Sequence, residues 1–268
     1  MADDQLTNRD GKPACILVTN DDGIHAPGLT SLERIARSLS PDVWVVAPEL
    51  EQSGKSHSLS LSDPLRMRRI DDRHVAVHGT PADCVILAVR KVMPAMPDLV
   101  LSGVNRGQNM ADDVTYSGTI AAAMEGTSIG LRSIALSQVL GARNRDGLNY
   151  DVAEAHGARV LRKLCGADFG PGTLININFP DCLPEEVKAV EVTRQGKRDQ
   201  NLLVVDERID TRGRPYYWLG FKREKSKPAP GTDLFAVSNR CISVTPLHMN
   251  MTQIDAMEIL RSRIDRNG

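Results

Sequence analysis

Five short apolar runs recur through the first 180 residues, Cys15–Val18, Val43–Pro48, Asp98–Val104, Ser133–Ser137 and Thr173–Pro180. The first four lack the alternation of a half-exposed strand, so each reads as a strand covered on both faces, and the last reads as a fifth strand. Helical patterning fills the intervals. LTSLERIARSL sets Leu29, Leu32, Ile35, Ala36 and Leu39 on one face of a helix. Thr80-Pro81-Ala82-Asp83 opens another, CVILAVRKVM, with Thr80 as N-cap and Pro81 at the first helical position. Small residues continue helically from Thr119 to Glu125, and Tyr150–Leu164 is a further helix. Strands alternating with helices require right-handed crossovers and a parallel sheet. The predicted fold class is α/β, a doubly wound, mostly parallel, Rossmann-like sheet. Between Ser58 and His78 the alternating pieces SLSLS, LRMRRI and HVAVH predict a small antiparallel flap or edge pairing.

Past Pro180 the pattern changes. VKAVEVTRQG reads as an extended strand, and DERIDTRGRPYYWLGFKREKSKPAPGTD supplies two β-prone arms joined by turn residues. The arms carry Tyr216, Tyr217 and Trp218, which either pack back on their own domain or meet a partner subunit. Lys222-Arg223-Glu224-Lys225 reads as a solvated hairpin tip, ISVTPL as a strand, and Gln253–Ile264 as a closing helix. The predicted division is a disordered tail (1–13), an α/β core (14–190), an extended β-hairpin arm (191–236) and a C-terminal strand and helix (237–268).

Composition narrows the classes. With 41% hydrophobic and 25% charged residues and a formal net charge of -1, the chain is an ordinary globular protein with no electrostatic case for nucleic acid or membrane. Cys15, Cys84, Cys165, Cys182 and Cys241 are odd in number and scattered, which predicts free thiols in a reducing compartment. The N-terminus is polar, and no apolar run approaches the ~20 residues of a membrane span. A cytoplasmic protein is expected.

The first strand stops on Asn20-Asp21-Asp22-Gly23, a tight turn that leaves two adjacent acids at a strand's carboxyl end. Open α/β sheets bind ligands in the crevice there, and neighbouring carboxylates repel unless a cation or a proton lies between them. The same acids also suit a helix cap and an Asx turn. The third strand ends in NRGQNMADDVTYSG and offers Asn105 and Asn109, and the loop after the second strand adds Ser53. Alone, Asn105 reads as a turn residue and Ser53 as a solvated hydroxyl. Together, carboxylate, amide and hydroxyl oxygens suit Mg²⁺, Mn²⁺ or Ca²⁺ and suit structural zinc poorly. Ser117-Gly118-Thr119 starts the small-residue helix, where unpaired N–H groups and the helix dipole favour a phosphate, although a simple N-cap also accounts for the hydroxyls. A metal beside a helix start predicts a phosphoryl group between them, polarised by the cation and attacked by water.

The motifs ILVTNDDGIHAPGL (16–29), ELEQSGKSHSLS (49–60), HGTPADCV (78–85), LVLSGVNRGQNMADDVTYSGTIAAAMEG (99–126) and ISVTPL (242–247) closely resemble, in order, those of the SurE family of survival proteins with 5′-nucleotidase activity. The likeness runs from Ala14 onward. Matched residue by residue, it implies one divalent metal per subunit, Mg²⁺ or Mn²⁺, on Asp21, Asp22, Ser53 and Asn105. It implies phosphate contacts at Asn109, Ser117, Gly118 and Thr119, with catalysis carried by Asp21, Asp22, Asn109 and Ser117. The implied substrates are nucleoside 5′- and 3′-monophosphates and short polyphosphate. The implied assembly is a homodimer or homotetramer with an extended hairpin and an exchanged C-terminal segment, on the family's own SurE fold. No metal position departs from the family pattern, but Ala111 stands where many relatives carry glycine. His25 and His57 are candidate general acids by proximity alone, and loop histidines more often pack or face water.

Three rival readings remain at this level. A phosphoacceptor module needs a separate acceptor aspartate on a later strand, where this chain has Ser102, Gly103 and Asn105. An aspartyl-nucleophile phosphatase expects D-x-D rather than adjacent acids. A nucleotide-binding regulatory module would bind without releasing phosphate.

Overall fold

The computed structural model describes residues 5–144, 149–198, 203–221 and 227–264. The basic run at 222–225 lies outside them. In chain order the elements are β1 (Ile16–Thr19), α1 (Pro27–Arg37), β2 (Val43–Pro48), β3 (Arg66–Arg69), β4 (His74–His78), α2 (Pro81–Leu87), β5 (Leu99–Arg106), α3 (Gly118–Ser128) and β6 (Arg132–Gln138). They continue with α4 (Asp151–Cys165), β7 (Thr173–Phe179), β8 (Val190–Val192), β9 (Leu203–Ile209), β10 (Pro215–Phe221), α5 (Asp233–Ser238), β11 (Ile242–His248) and α6 (Ile254–Ile264).

Nine strands form one sheet in the order β3-β4-β2-β1-β5-β6-β7-β11-β8. From β4 through β7 all pairings are parallel, as the alternation of strands and helices requires. Ile16, Leu17 and Val18 are fully buried because helices cover both faces. α1 and α4 pack Leu32, Ile35, Val160 and Leu161 over Ile16, Val18, Leu99 and Leu101. α2 and α3 bring Cys84, Val85 and Ala122 against Leu17, Val46 and Val100. Each large aliphatic side chain so enclosed contributes about 1.5–3 kcal/mol. The predicted cap of α2 is present in full, with Asp83 N donating to Thr80 Oγ1 and Thr80 N donating to Asp83 Oδ2.

The structure sharpens the sequence reading at three places. Of the expected flap or edge pairing, the structure has the edge pairing: β3 and β4 pair antiparallel and β4 pairs parallel with β2 at the rim of the main sheet, while SLSLS forms no strand. Of the stretch expected as a tail, residues 5–13 form a small hairpin held to the core, with Leu6 N donating to Leu39 O and Ala14 N to Leu6 O. The C-terminal strand β11 lies inside the sheet, antiparallel to β7 and parallel to β8. The two arms form the hairpin β9–β10, as predicted.

The chain leaves β1 toward β2 on one side and returns through α2 to β5 on the other, so the strand order reverses between β1 and β5. That reversal opens a crevice at the strands' carboxyl ends. Close packing shapes it: α1 approaches β5 so nearly that a Cβ on Gly28 would lie 2.0 Å from Val104 O. One extra residue of β5 interrupts its pairing with β6 between Ser102 and Asn105, and such a bulge bends the strand.

Candidate active site

The NDDG turn is closed by the residues flanking the acids. Asn20 Nδ2 donates to Gly23 O at 3.0 Å, Gly23 N donates to Asn20 Oδ1 at 3.3 Å, and Gly23 takes a φ of +103° that only glycine adopts readily. Neither acid caps α1, whose N-cap is Ala26. Both carboxylates are therefore free for other work. Asp21 is 4% exposed, and its Oδ1 accepts the Thr119 hydroxyl at 2.5 Å. Burial and then the charge of Asp22 push its pKa up to about 6, while the hydrogen bonds from Thr119 oppose the rise. Asp22 is half-buried and accepts from Arg106 N at 3.0 Å. Its pKa also rises through burial, against the pull of Arg106.

Asp21, Ser53, Asn105, Asn109 and Ser117 all line one cleft of about 360 Å³, with Arg106, Gln108, Asp113, Tyr116 and Arg198. The ends of three strands, β1, β2 and β5, thus deliver five of the predicted residues to one place. Ser53 is exposed and donates to Glu51 Oε1 at 2.9 Å. Asn105 gives its Nδ2 to Gly107 O at 2.8 Å, which leaves its carbonyl oxygen as an unused donor to a cation. Ser117 caps α3 by accepting from Ile120 N at 3.1 Å, so its own O–H remains available. Gly118 and Thr119, expected on the phosphate side, pack against Asp21. A Cβ on Gly118 would stand 2.8 Å from Asp21 Cβ, and Thr119 is fully buried with its hydroxyl spent on Asp21. They hold the acid in place.

Sequence reasoning missed the supports of Asn109. Its main-chain N–H donates to Asn178 Oδ1 at 2.9 Å, its carbonyl accepts from Asn176 at 2.8 Å and Asn178 at 3.0 Å, and its Nδ2 donates to Ser137 Oγ at 2.9 Å. These three partners sit at the ends of β6 and β7 and are buried. Two asparagines inside a buried strand were the available signal, because such side chains need partners. Arg198 was also missed: its guanidinium pairs with Asp113, and its N–H donates to Asp112 Oδ2 at 2.9 Å. Ala111 has a φ of +53° and is held by a hydrogen bond of 2.8 Å from its N–H to the buried Asp233. His25 borders a different cavity with Arg34 and Tyr150, and His57 pairs with Glu125 at 3.0 Å, so neither lines the cleft.

A hard divalent cation fits this donor set. Among the described residues there is no group of three or more His, Cys, Asp or Glu suited to a metal, so zinc-type ligation finds no candidate there. Two adjacent carboxylates, one of them buried and destabilised by the other, are the arrangement a divalent cation relieves, and the remaining donors are neutral oxygens.

The chain can now be compared with known proteins. A family model described as survival protein SurE matches residues 16–202. The 5′-nucleotidase SurE of Methylobacterium radiotolerans is 61% identical over 238 residues, covering 88% of this chain and 94% of that protein. The protein of the same name from Methylorubrum populi is 59% identical over 247 residues, covering 92% and 96%. A crystal structure of the SurE protein from Aquifex aeolicus superposes with a TM-score of 0.79 at 40% identity, covering 92% of this chain and 98% of that one. With the family model spanning the cleft and the parallel strands from β1 to β7, this chain belongs to the survival protein SurE family.

Proposed function

We propose that this chain is a metal-dependent phosphomonoesterase that hydrolyses nucleoside 5′-monophosphates to nucleoside and phosphate. The observation that carries the reading is Asp21, a buried carboxylate beside Asp22, fastened to the first turn of α3 and facing a cleft of neutral oxygen donors. The names of the relatives support the substrate class. Asp21, Asp22, Ser53 and Asn105 would hold one Mg²⁺ or Mn²⁺ per subunit. When bound, such a cation polarises a phosphoryl oxygen and makes water more acidic. The chain's own groups do the rest. Ser117 donates its free O–H to a phosphoryl oxygen, the leading N–H groups of α3 face the same charge, and Asn109, which lines the cleft and gives one Nδ2 hydrogen to Ser137, offers the other. Asp21 or Asp22 orients the attacking water and accepts its proton. Nucleoside 3′-monophosphates and short polyphosphate present the same terminal group and fall within the reading.

The test is phosphate release from a nucleoside 5′-monophosphate before and after chelation. Activity is expected to fall at least about tenfold on chelation and to return with Mn²⁺ or Mg²⁺, the order of effect that loss of a charged site component produces. Hydrolysis unaffected by chelator refutes the metal, and no hydrolysis under any metal refutes the activity.

The working unit is a homodimer or homotetramer in this reading. β9–β10 carries Trp218 58% exposed and Leu219 70% exposed, and α6 has no buried residue, with Ile259, Leu260 and Ile264 all facing outward. Apolar surface of that extent marks an association face. Light scattering on the intact protein should give two or four times 29.3 kDa, and Trp218→Asp should reduce the mass. A monomeric wild type removes the proposal. All five cysteines are free thiols, which accords with a reducing, cytoplasmic setting, and no helix among the described residues is long and apolar enough to cross a membrane.

A further inference from the structure

The turn that carries Ser53 borders two cavities. Ser53 and Gly54 line the cleft, while Gln52 and Lys55 line a separate, larger cavity of about 840 Å³ that reaches β3 and the start of α2. The turn is tight. Lys55 N donates to Gln52 O at 3.2 Å, Gly54 takes a φ of +75°, and Gln52 N donates to the main-chain oxygen of Asp21 at 2.7 Å. Whatever fixes Lys55 therefore also restrains Ser53. The larger cavity is basic and rich in hydroxyls. Lys55, Arg66 and His78 face it with Ser58 and Ser60, and Asp63 is the carboxylate in its wall. Arg66 and His78 are direct partners across β3 and β4, so their side chains leave the sheet side by side on one face. Other cations on this rim are matched, Arg68 with Glu49 at 3.0 Å and Arg73 with Asp42 at 2.7 Å. Among the described residues, the Lys55 ammonium and the Arg66 guanidinium have no such acid, and neither pairs with Asp63.

We propose that this cavity binds an oligophosphate anion, a short chain of linked phosphoryl groups either free or borne by a nucleotide, and that its occupation steadies the turn presenting Ser53. Three features carry the site. Lys55 and Arg66 outweigh Asp63, a local excess of positive charge in a chain whose formal net charge is -1, and an anion relieves it. Arginine meets phosphate as a fork of two N–H groups and lysine as a point charge, so the two together suit neighbouring phosphoryl groups. The volume exceeds that of a single phosphate and falls in the range of about 300–1,000 Å³ usual for small-molecule sites. The effect on Ser53 rests on the phosphomonoesterase reading, which makes that residue a metal ligand; the binding site does not. Ser53 spends its hydroxyl on Glu51 here, so a cation must reorder the turn to engage it. An anion that already holds Lys55 leaves less ordering to be done, and affinity for the metal rises.

The experiment titrates the intact chain, without added metal, with imidodiphosphate, whose P–N–P bridge resists hydrolysis, and follows binding by calorimetry. Affinity should fall at least about tenfold in Arg66→Met and in Lys55→Met, the loss expected of a charge-assisted contact, and remain unchanged in Ser117→Ala, which alters the cleft alone. Both basic side chains are exposed, so neither change disturbs the core. A nucleoside 5′-(β,γ-imido)triphosphate is the second arm: tighter binding than imidodiphosphate identifies a nucleotide as the ligand, weaker binding a free oligophosphate, and either supports the site. For the turn, melting midpoints are recorded against buffered free Mn²⁺. Bound imidodiphosphate should lower the half-saturating Mn²⁺ by at least about fivefold in wild type and not in Arg66→Met. Binding that is undiminished in Arg66→Met and Lys55→Met, or lost in Ser117→Ala, overturns the site, and equal affinity for orthophosphate overturns the ligand class. An unmoved Mn²⁺ requirement overturns the effect on Ser53. Intact binding in a chain that releases no phosphate overturns the phosphomonoesterase reading alone.

Discussion

Asp21→Asn lowers phosphate release from a nucleoside 5′-monophosphate by on the order of a hundred- to a thousandfold, while the metal-stripped variant melts no lower than wild type. The asparagine keeps an oxygen for the Thr119 hydroxyl, so the local geometry has no reason to change. What disappears is the negative charge that a cation would face. The pKa of Asp21 lies near 6 against an ordinary 3.8, so its ionised form is disfavoured in the folded state, by about 3 kcal/mol at 1.36 kcal/mol per pKa unit. Because the folded protein holds this proton more tightly than the unfolded chain, that penalty is absent at low pH and grows as pH rises from about 4 to 6. The variant's gain in chelator should therefore be full at pH 7.5 and fade toward pH 4. Calorimetry with chelator and a phosphate assay with metal check both halves. A variant as active as wild type, or one that melts lower at neutral pH, contradicts the role given to Asp21. The charge is retained for function at the expense of stability, as active sites commonly require.

Gly28→Ala should lower the melting midpoint by about 6–12 °C, corresponding to roughly 3 kcal/mol in a chain of this size. The added methyl group would meet Val104 O at 2.0 Å and the Tyr150 ring at 3.0 Å. The nearer obstacle is main chain, which has no rotamer by which to move aside, so α1 must lift from β5. Asn105 follows Val104 directly, and the displacement should also reduce activity. Gly166→Ala is the matched control, since Gly166 ends α4 in right-handed backbone and its nearest neighbour would be 3.7 Å away. Equal melting of the two variants would show that α1 rides clear of β5.

The core strands were legible because burial on both faces leaves an uninterrupted apolar signature, and β1, β2 and β5 carry it plainly. The acids at the end of β1 were legible for a related reason, as charged residues following a fully buried run mark the place where the chain leaves the sheet. Other parts were hidden by distance in sequence. Nothing near Asn109 announces that Asn176 and Asn178 will support it, since they lie on another strand and their neighbours spell an ordinary hydrophobic alternation. Thr119 was read as facing a phosphate because a helix start predicts outward-facing groups, but Gly118 lets Asp21 approach so closely that the hydroxyl is captured by the acid. Arg198 lies in the segment read as an arm, and only the folded chain brings it to Asp113. Ala111 stands in left-handed backbone, a conformation that glycine adopts more readily than alanine, which no neighbouring residue announces.

The inner position of β11 bears on how the chain is made. Residues 242–248 leave the ribosome well after β7, yet they occupy a place between β7 and β8 that must be filled before β7 has a neighbour on that side. The parallel half of the sheet can assemble earlier, but it does so with a bare row of N–H and C=O groups along β7, which invites pairing with another nascent chain. A message broken or a chain clipped ahead of Ile242 would therefore yield an adhesive remnant with its acidic residues already assembled. Translation through β11 is what covers that edge.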